Sequence, residues 1–234
     1  MRGEAPGETP VELRAYGRRT FLAVTGIGLS SLLWAKPVWQ VVSGAAQPLQ
    51  GALPAGFIPS SGWRIYTVAS TMPRFDRTSW QLRIEGLVER PVTLTYDELL
   101  ELARAEQVSD FHCVTGWSVK NVHWAGVRLR DLLATVRPRA SARVLTFVSA
   151  EDPYADTLTL AQAELADAML AYEMDGKPLR REHGAPVRVV IPEMYGYKNV
   201  KWVERIVVGD RVEPGYWEQR GYDVDAWVGR SNDA

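Results

Sequence analysis

The sequence predicts an α+β fold, rich in strands and with only short helices, and three observations carry that expectation. Apolar residues gather in runs of strand length, and helix-start signals are followed by few apolar positions. Neither a regular strand–helix alternation nor an internal repeat runs through the 234 residues, which disfavours a parallel sheet wound by crossover helices. Fourteen prolines, nineteen glycines and nine tryptophans add a loop-rich chain with large aromatic anchors.

Taken in order, residues 1–13 are polar and rich in Gly, Pro and Glu, which suits a disordered leader. In Gly17-Arg-Arg-Thr-Phe-Leu-Ala-Val-Thr-Gly-Ile-Gly-Leu-Ser-Ser-Leu-Leu-Trp-Ala-Lys36, two arginines precede sixteen uncharged residues that show no polar face. That pattern resembles a twin-arginine export signal. Small residues at 43–46 suit cleavage, whereas 20–35 followed by 38–42 suits a retained anchor. Residues 1–45 are therefore expected to be a twin-arginine-type signal or a membrane anchor, and the protein to be exported to the periplasm or the outer face of the cytoplasmic membrane. A Pro/Gly/Ser-rich linker follows at 46–62, and the folded domain is expected over 63–234.

Within that domain, Trp80-Gln-Leu-Arg-Ile-Glu alternates as a half-buried strand does. Thr95-Tyr-Asp-Glu98 is a capping box ahead of Leu99, Leu100 and Leu102, so a short helix starts there. Residues 108–114 have strand character and run into the turn signal Thr115-Gly116. A second short helix is expected over 127–136, strands over 143–149 and 157–160 around an Asp-Pro turn, and a tight turn at Asp175-Gly176. Strands over 186–192 and 200–208 complete the list.

Composition sets limits on function. A formal net charge of −1 gives no electrostatic reason to bind nucleic acid. A single cysteine excludes an internal disulfide, paired-cysteine zinc sites and protein-held iron–sulfur clusters.

That cysteine, Cys113, sits at a strand end beside a glycine turn, where loops on a rigid scaffold carry chemistry. It has three readings: an inert buried hydrophobe, a catalytic thiolate, or a ligand for a soft metal. His112, its neighbour, projects to the opposite face of the strand and is structural, and His123 has no assigned role. A second anomaly is Arg188, in the middle of Val187-Arg-Val-Val-Ile191. An arginine in so apolar a strand needs an anion. A structural carboxylate would serve, but His183, Lys198 and Lys201 are close in sequence, with Gly184 and Gly196 bending the backbone between them. Together they fit a phosphate or oxyanion site.

Four segments then align in series: Phe111-His-Cys-Val-Thr-Gly-Trp117, Leu170-Ala-Tyr-Glu-Met-Asp-Gly-Lys-Pro-Leu179, Arg181-Glu-His-Gly-Ala-Pro-Val-Arg188 and Tyr195-Gly-Tyr-Lys-Asn-Val-Lys-Trp-Val-Glu-Arg-Ile206. Their order and spacing, over about residues 63–217, resemble the molybdopterin domain of the sulfite oxidase superfamily. The resemblance implies a sulfite-oxidase-type molybdopterin-binding fold and a mononuclear molybdenum on one pyranopterin dithiolene, with Cys113 as the protein's metal ligand. It places pterin and phosphate contacts at His183, Arg188, Asn199, Val200 and Lys201, a strand-end hydroxyl at Ser149, and a covering loop at Tyr66. Trp117, Tyr195 and Trp217 are candidates to line the pocket.

Sulfite oxidases carry an arginine shortly after the ligand cysteine to hold the sulfite anion, whereas Trp117, Ser118 and Val119 stand here. The Cys-Val-x-x-Trp pattern is closer to the periplasmic methionine-sulfoxide reductase catalytic subunit type, whose substrate is neutral at sulfur. The implied activity is oxygen-atom transfer coupled to two-electron transfer, on a sulfoxide-type substrate, small or within a protein. An external electron partner is implied too, a membrane heme subunit or a cytochrome. The alternative within the superfamily is a sulfite dehydrogenase. Outside it stand a thiol enzyme using Cys113, which leaves the cationic cluster unexplained, and a non-catalytic exported binding domain.

Overall fold

The computed structural model describes residues 62–232, so the expected signal or anchor and nearly all of the linker lie outside the described residues. The described chain is α+β, with ten strands in two sheets and three short helices.

The first sheet has the order β2-β1-β10-β5-β6. Its strands are β1 (Gln81–Gly86), β2 (Val92–Thr95), β5 (Val144–Ser149), β6 (Ala155–Thr159) and β10 (Val203–Gly209). All neighbours are antiparallel except β1 and β10, where Ile84 pairs with Ile206 in parallel. The second sheet runs β3-β4-β7-β8, with β9 beside β8 on the edge of β7 away from β4. Its strands are β3 (Arg104–Cys113), β4 (Trp117–Arg128), β7 (Met169–Met174), β8 (Lys177–Pro178) and β9 (Arg188–Val190). Alternation in β1 turns Leu82 and Ile84 into a core shared with Phe147, Leu158, Leu170, Val189 and Ile206.

The capping box forms as the sequence predicts. The Thr95 hydroxyl accepts from Glu98 N–H at 3.3 Å, and Thr95 N–H donates to Glu98 Oε2 at 2.8 Å, opening α1 (Tyr96–Leu100) with Tyr96 and Leu99 buried. Asp175 and Gly176, with φ of 52° and 72°, make the β7–β8 turn.

Several elements differ from expectation, among them the strands expected over 186–192 and 157–160, which span Arg188–Val190 and Ala155–Thr159. The helix expected from 127 is α2 (Leu129–Val136), because Val127 and Arg128 still pair with Leu170 and Met169 in the ladder. The strand expected from 200 begins at Val203, because Trp202 adopts a left-handed φ of 51°. Strand β4 has no counterpart in the sequence reading. Its exposed half holds Lys120 and Asn121, the latter at φ 54°, and its register slips where Ser109 gives way to Phe111 on β3, so no clean alternation marks it. The third helix, α3 (Leu160–Ala163), is a single turn capped by Thr159.

Candidate functional site

The β3–β4 hairpin carries the cysteine. Cys113 ends β3, its carbonyl accepts from Gly116 N–H at 3.0 Å, and Gly116 at φ 87° turns the chain into Trp117. The half-buried sulfur lies 3.2 Å from the Thr115 hydroxyl. His112, one residue before, is 2.8 Å through Nδ1 from the hydroxyl of its cross-strand partner Ser118.

Cys113 lines a pocket of about 960 Å³, open mouth included, a size suited to a small organic ligand. Trp117 and Phe111 from the hairpin line it, as do Trp63 and Tyr66 before β1, His183 and Arg188 around β9, and Asn199 and Lys201 before β10. Trp63 packs against Phe111, Trp117, Trp124 and His183, with ring centroids 4.8 to 6.2 Å apart, so the hairpin side of the wall is a fixed aromatic block.

Arg188 is 3% exposed, and its guanidinium lies 5.3 Å from the ring centroids of both Phe111 and Trp124. It donates to three backbone carbonyls, those of His183 at 3.2 Å, Asn199 at 3.4 Å and Val189 at 3.5 Å, and among the described residues no carboxylate pairs with it. Burial pulls it down to about 10. Lys201 donates to the Tyr66 carbonyl at 2.7 Å and lies 4.0 Å from the Trp202 ring centroid. Burial, and then the Arg188 charge, hold it down to about 7, against the pull of Glu151. His183 is 2% exposed, with Nδ1 buried and without a partner among the described residues; burial, followed by Arg188, Arg180 and Lys201, pushes it down to about 3. Three basic groups depressed in one wall mark a place where positive charge is under-compensated by the protein.

Backbone is brought close on the same side. A Cβ on Gly184, at φ 103°, would come 2.8 Å from Lys201 Cβ, and one on Gly196 would come 2.4 Å from the Phe111 ring. These glycines let the His183 turn and the Asn199 loop close around the cationic groups.

Seven of the expected residues meet here: Tyr66, Cys113, Trp117, His183, Arg188, Asn199 and Lys201, with Trp217 on the C-terminal side. Asn199 also braces its loop, its Oδ1 accepting from Ile191 N–H at 2.6 Å. Ser149 lies behind the wall, donating to the Lys201 carbonyl at 2.8 Å and accepting from Glu151 N–H at 2.9 Å. Val200 is in the core, and its carbonyl accepts from Val189 N–H at 2.8 Å. Tyr195 is outside the lining, its hydroxyl accepting from Gly229 N–H at 3.2 Å. Lys198 does not face the anion site at all, being paired with Asp156 and Glu218. Glu151, Tyr154, Tyr197 and Tyr222 line the pocket with no prior signal in the sequence. Glu151 is held by Val68 N–H at 2.8 Å and Ala69 N–H at 3.3 Å.

Among the described residues no three His, Cys, Asp or Glu side chains gather as a metal cage, so the protein itself offers one soft donor. A single thiolate beside a cationic wall whose donors meet neutral carbonyls fits a metal that arrives already chelated by an anionic, phosphate-bearing organic ligand. In that arrangement Cys113 would ligate the metal, while His183, Arg188 and Lys201 would hold the pterin and phosphate.

The chain is 37% identical over 156 residues to the uncharacterized oxidoreductase YuiH of Bacillus subtilis (strain 168), covering 65% of this chain and 77% of that one. It is 34% identical over 153 residues to the protein-methionine-sulfoxide reductase catalytic subunit MsrP of Ralstonia nicotianae, covering 59% of this chain and 46% of that one. The sulfane dehydrogenase SoxCD from Paracoccus pantotrophus superposes with a TM-score of 0.59 at 26% identity, over 63% of this chain and 42% of that one. The chain thus spans about half the length of that reductase subunit, and less of the dehydrogenase. The profile of the oxidoreductase molybdopterin binding domain matches residues 69–217, which takes in both sheets and every residue of the donor wall. The chain is an enzyme of the molybdopterin-binding oxidoreductase family, of the sulfite oxidase superfamily.

Proposed function

We propose that this chain is the catalytic subunit of an exported molybdenum-pterin oxidoreductase that reduces a sulfoxide-type substrate by oxygen-atom transfer. The observation that carries the substrate side is Trp117. It stands on the strand that leaves the cysteine turn, where sulfite oxidases place an arginine, and packs against Trp63, Phe111 and Tyr66. The hairpin side of the pocket is thus apolar and uncharged, and suits a substrate neutral at sulfur better than a sulfite anion.

When bound, the molybdenum centre supplies the two-electron exchange that accompanies oxygen transfer. The chain's own residues bind, orient and exclude water. Arg188 and Lys201 would neutralise the anionic cofactor, His183 would meet it from the same wall, and Cys113 would ligate the metal. Trp117, Trp217 and Tyr66 restrict water and favour an apolar group attached to sulfur. Electrons come from an external redox protein, a membrane heme subunit or a cytochrome, and the twin-arginine-type leader places the enzyme outside the cytoplasm.

The test is metal and pterin analysis of protein purified from the exported fraction, followed by turnover with a sulfoxide and with sulfite. About one molybdenum per chain with sulfoxide reduction agrees with the proposal. Sulfite oxidation alone would make it a sulfite dehydrogenase. Metal-free protein whose activity is abolished by Cys113 alkylation would make it a thiol enzyme.

A further inference from the structure

Lys198 is enclosed, its side chain 1% exposed, and so are those of its two partners, Asp156 and Glu218. Its Nζ donates to Asp156 Oδ1 at 2.8 Å, to the Thr157 carbonyl at 3.0 Å, and to Glu218 Oε1. The cluster joins three separate segments. Asp156 lies in β6. Lys198 lies in the loop whose neighbours Tyr197 and Asn199 line the pocket. Glu218 opens the 3-10 turn Glu218–Arg220, flanked by Trp217 and Tyr222, which line the pocket from the C-terminal side.

Residues 215–222 are seated by this cluster together with two ring contacts, Tyr216 on Tyr154 at 5.6 Å and Tyr222 on Tyr197 at 5.5 Å between centroids. Their backbone bonds close within the turn, apart from Tyr216 N–H to the Ala155 carbonyl at 3.0 Å. The second Glu218 oxygen accepts from Gly215 N–H at 2.8 Å, and a Cβ on Gly215 would come 2.6 Å from the Asp156 carboxyl carbon. The turn is thus laid directly over the Asp156 carboxylate, with glycine at the crossing.

One ammonium facing two carboxylates leaves a buried negative charge when both acids are ionised, and burial of an unmatched charge is costly. Asp156 Oδ1 is occupied by Lys198 and by Thr157 N–H at 2.7 Å, whereas Oδ2 has no partner among the described residues and is the seat for a proton. The other titratable groups that face the cluster are Tyr154 and Tyr197, with Glu151, Asp223 and Arg188 beyond them. None of these lies within ion-pair distance of the two acids. Burial, with Glu218 adding to it against the pull of Lys198, raises Asp156 to about 7. A carboxyl raised on folding stabilises its surroundings fully below its unfolded value near 4, and that contribution is lost as pH rises through its folded value.

We propose that Lys198, Asp156 and Glu218 are positioning residues for the C-terminal wall of the pocket, a latch that holds Trp217 and Tyr222 in place while Asp156 carries one proton. Loss of that proton to solvent leaves like charges of Asp156 and Glu218 beneath Gly215, and the turn loosens. The inference concerns the wall and holds whichever substrate the site takes, so failure of the sulfoxide proposal leaves it intact.

The test is hydrogen exchange of residues 215–222 in the full-length, cofactor-loaded protein at pH 5 and pH 8, corrected for the intrinsic exchange rate. The wild type should open at least about tenfold more at pH 8, as linkage to a carboxyl raised by several units requires. Asp156→Asn mimics the protonated acid and leaves Lys198 with Glu218 alone; Glu218→Gln leaves it with Asp156 alone. Both variants should lose the pH dependence, because each has one cation for one anion. A wild-type turn that exchanges equally at the two pH values, or an Asp156→Asn protein that keeps the wild-type difference, would overturn the proposal.

Discussion

The Thr115 hydroxyl lies 3.2 Å from the Cys113 sulfur, both on the turn that ends β3. A hydroxyl that donates to a ligating thiolate withdraws electron density from it and favours the reduced metal. Thr115→Val keeps the shape and removes the donor. A hydrogen bond of about 1 kcal/mol corresponds to roughly 40 mV for a one-electron step, so the potential should fall by that order. Redox titration of the loaded protein checks it. Cys113→Ser should leave a folded chain without turnover, because an oxygen donor is harder than thiolate. Wild-type turnover in that variant would remove Cys113 from the metal.

Arg188→Ala and Lys201→Ala each delete a charge-assisted donor from the buried wall. Each should cost on the order of 2 to 5 kcal/mol of cofactor affinity, and the purified protein should carry little molybdopterin. Arg188→Lys should restore little, because its ammonium cannot span the three carbonyls that the guanidinium now reaches. Normal pterin content in both alanine variants would reduce the two residues to structural roles.

The depressed Lys201 gives a pH signature with a definite sign. In cofactor-free protein its folded value is about 7 against 10.5 for the free side chain, so the unfolded chain binds more protons between these values. Stability should therefore rise with pH from about 7 to 10, and the penalty stays in full below 7. Lys201→Met should flatten that rise in thermal unfolding. In the loaded protein an anion partner restores the charge, and affinity for the cofactor should fall by up to about tenfold per pH unit above 7.

How far the sequence reveals this site depends on whether a residue conflicts with its local surroundings. Arg188 in a valine strand and a single cysteine at a glycine turn are such conflicts, and both lie in the pocket wall. The Thr95 capping box is legible because both its partners lie within four residues. Lys198 is not legible, since nothing in Gly-Tyr-Lys-Asn tells which way the ammonium turns, and its acids lie 42 and 20 positions away. Trp202 reads as mid-strand, but its left-handed backbone ends the loop that aims Lys201 at Tyr66. Strand β4 escaped because half of it is exposed and bulged, so its pairing is set by β3 and β7 rather than by its own pattern.

The proposed export rests on an arginine pair, Arg18 and Arg19. A protein that must take up molybdopterin in the cytoplasm needs a route that carries folded chains. Arg18→Lys with Arg19→Lys keeps the charge and removes the two guanidinium forks. The double variant should accumulate inside the cell as cofactor-loaded precursor. Fractionation that finds it exported at the wild-type rate would reject the signal and leave residues 20–35 as an ordinary anchor or helix.

Trp117→Arg bears on substrate choice most directly. The indole lies in the wall of the Cys113 pocket, 6.4 Å from the Tyr66 ring and 5.7 Å from that of Phe111. Its replacement brings a cation to a wall whose aromatic partners can stack with a guanidinium. An anion such as sulfite gains a charge-assisted donor, while a neutral sulfoxide loses apolar contact and meets a group that is costly to desolvate. With the two effects together worth on the order of 1.4 to 2.7 kcal/mol, the ratio of kcat/KM for sulfite to that for sulfoxide should rise by roughly ten- to a hundredfold. The change should lie mainly in KM for sulfite, since the added charge binds ground and transition states alike. An unchanged ratio in a variant with normal molybdenum content would show that specificity is set elsewhere in the wall, and would remove Trp117 from the argument for a sulfoxide substrate.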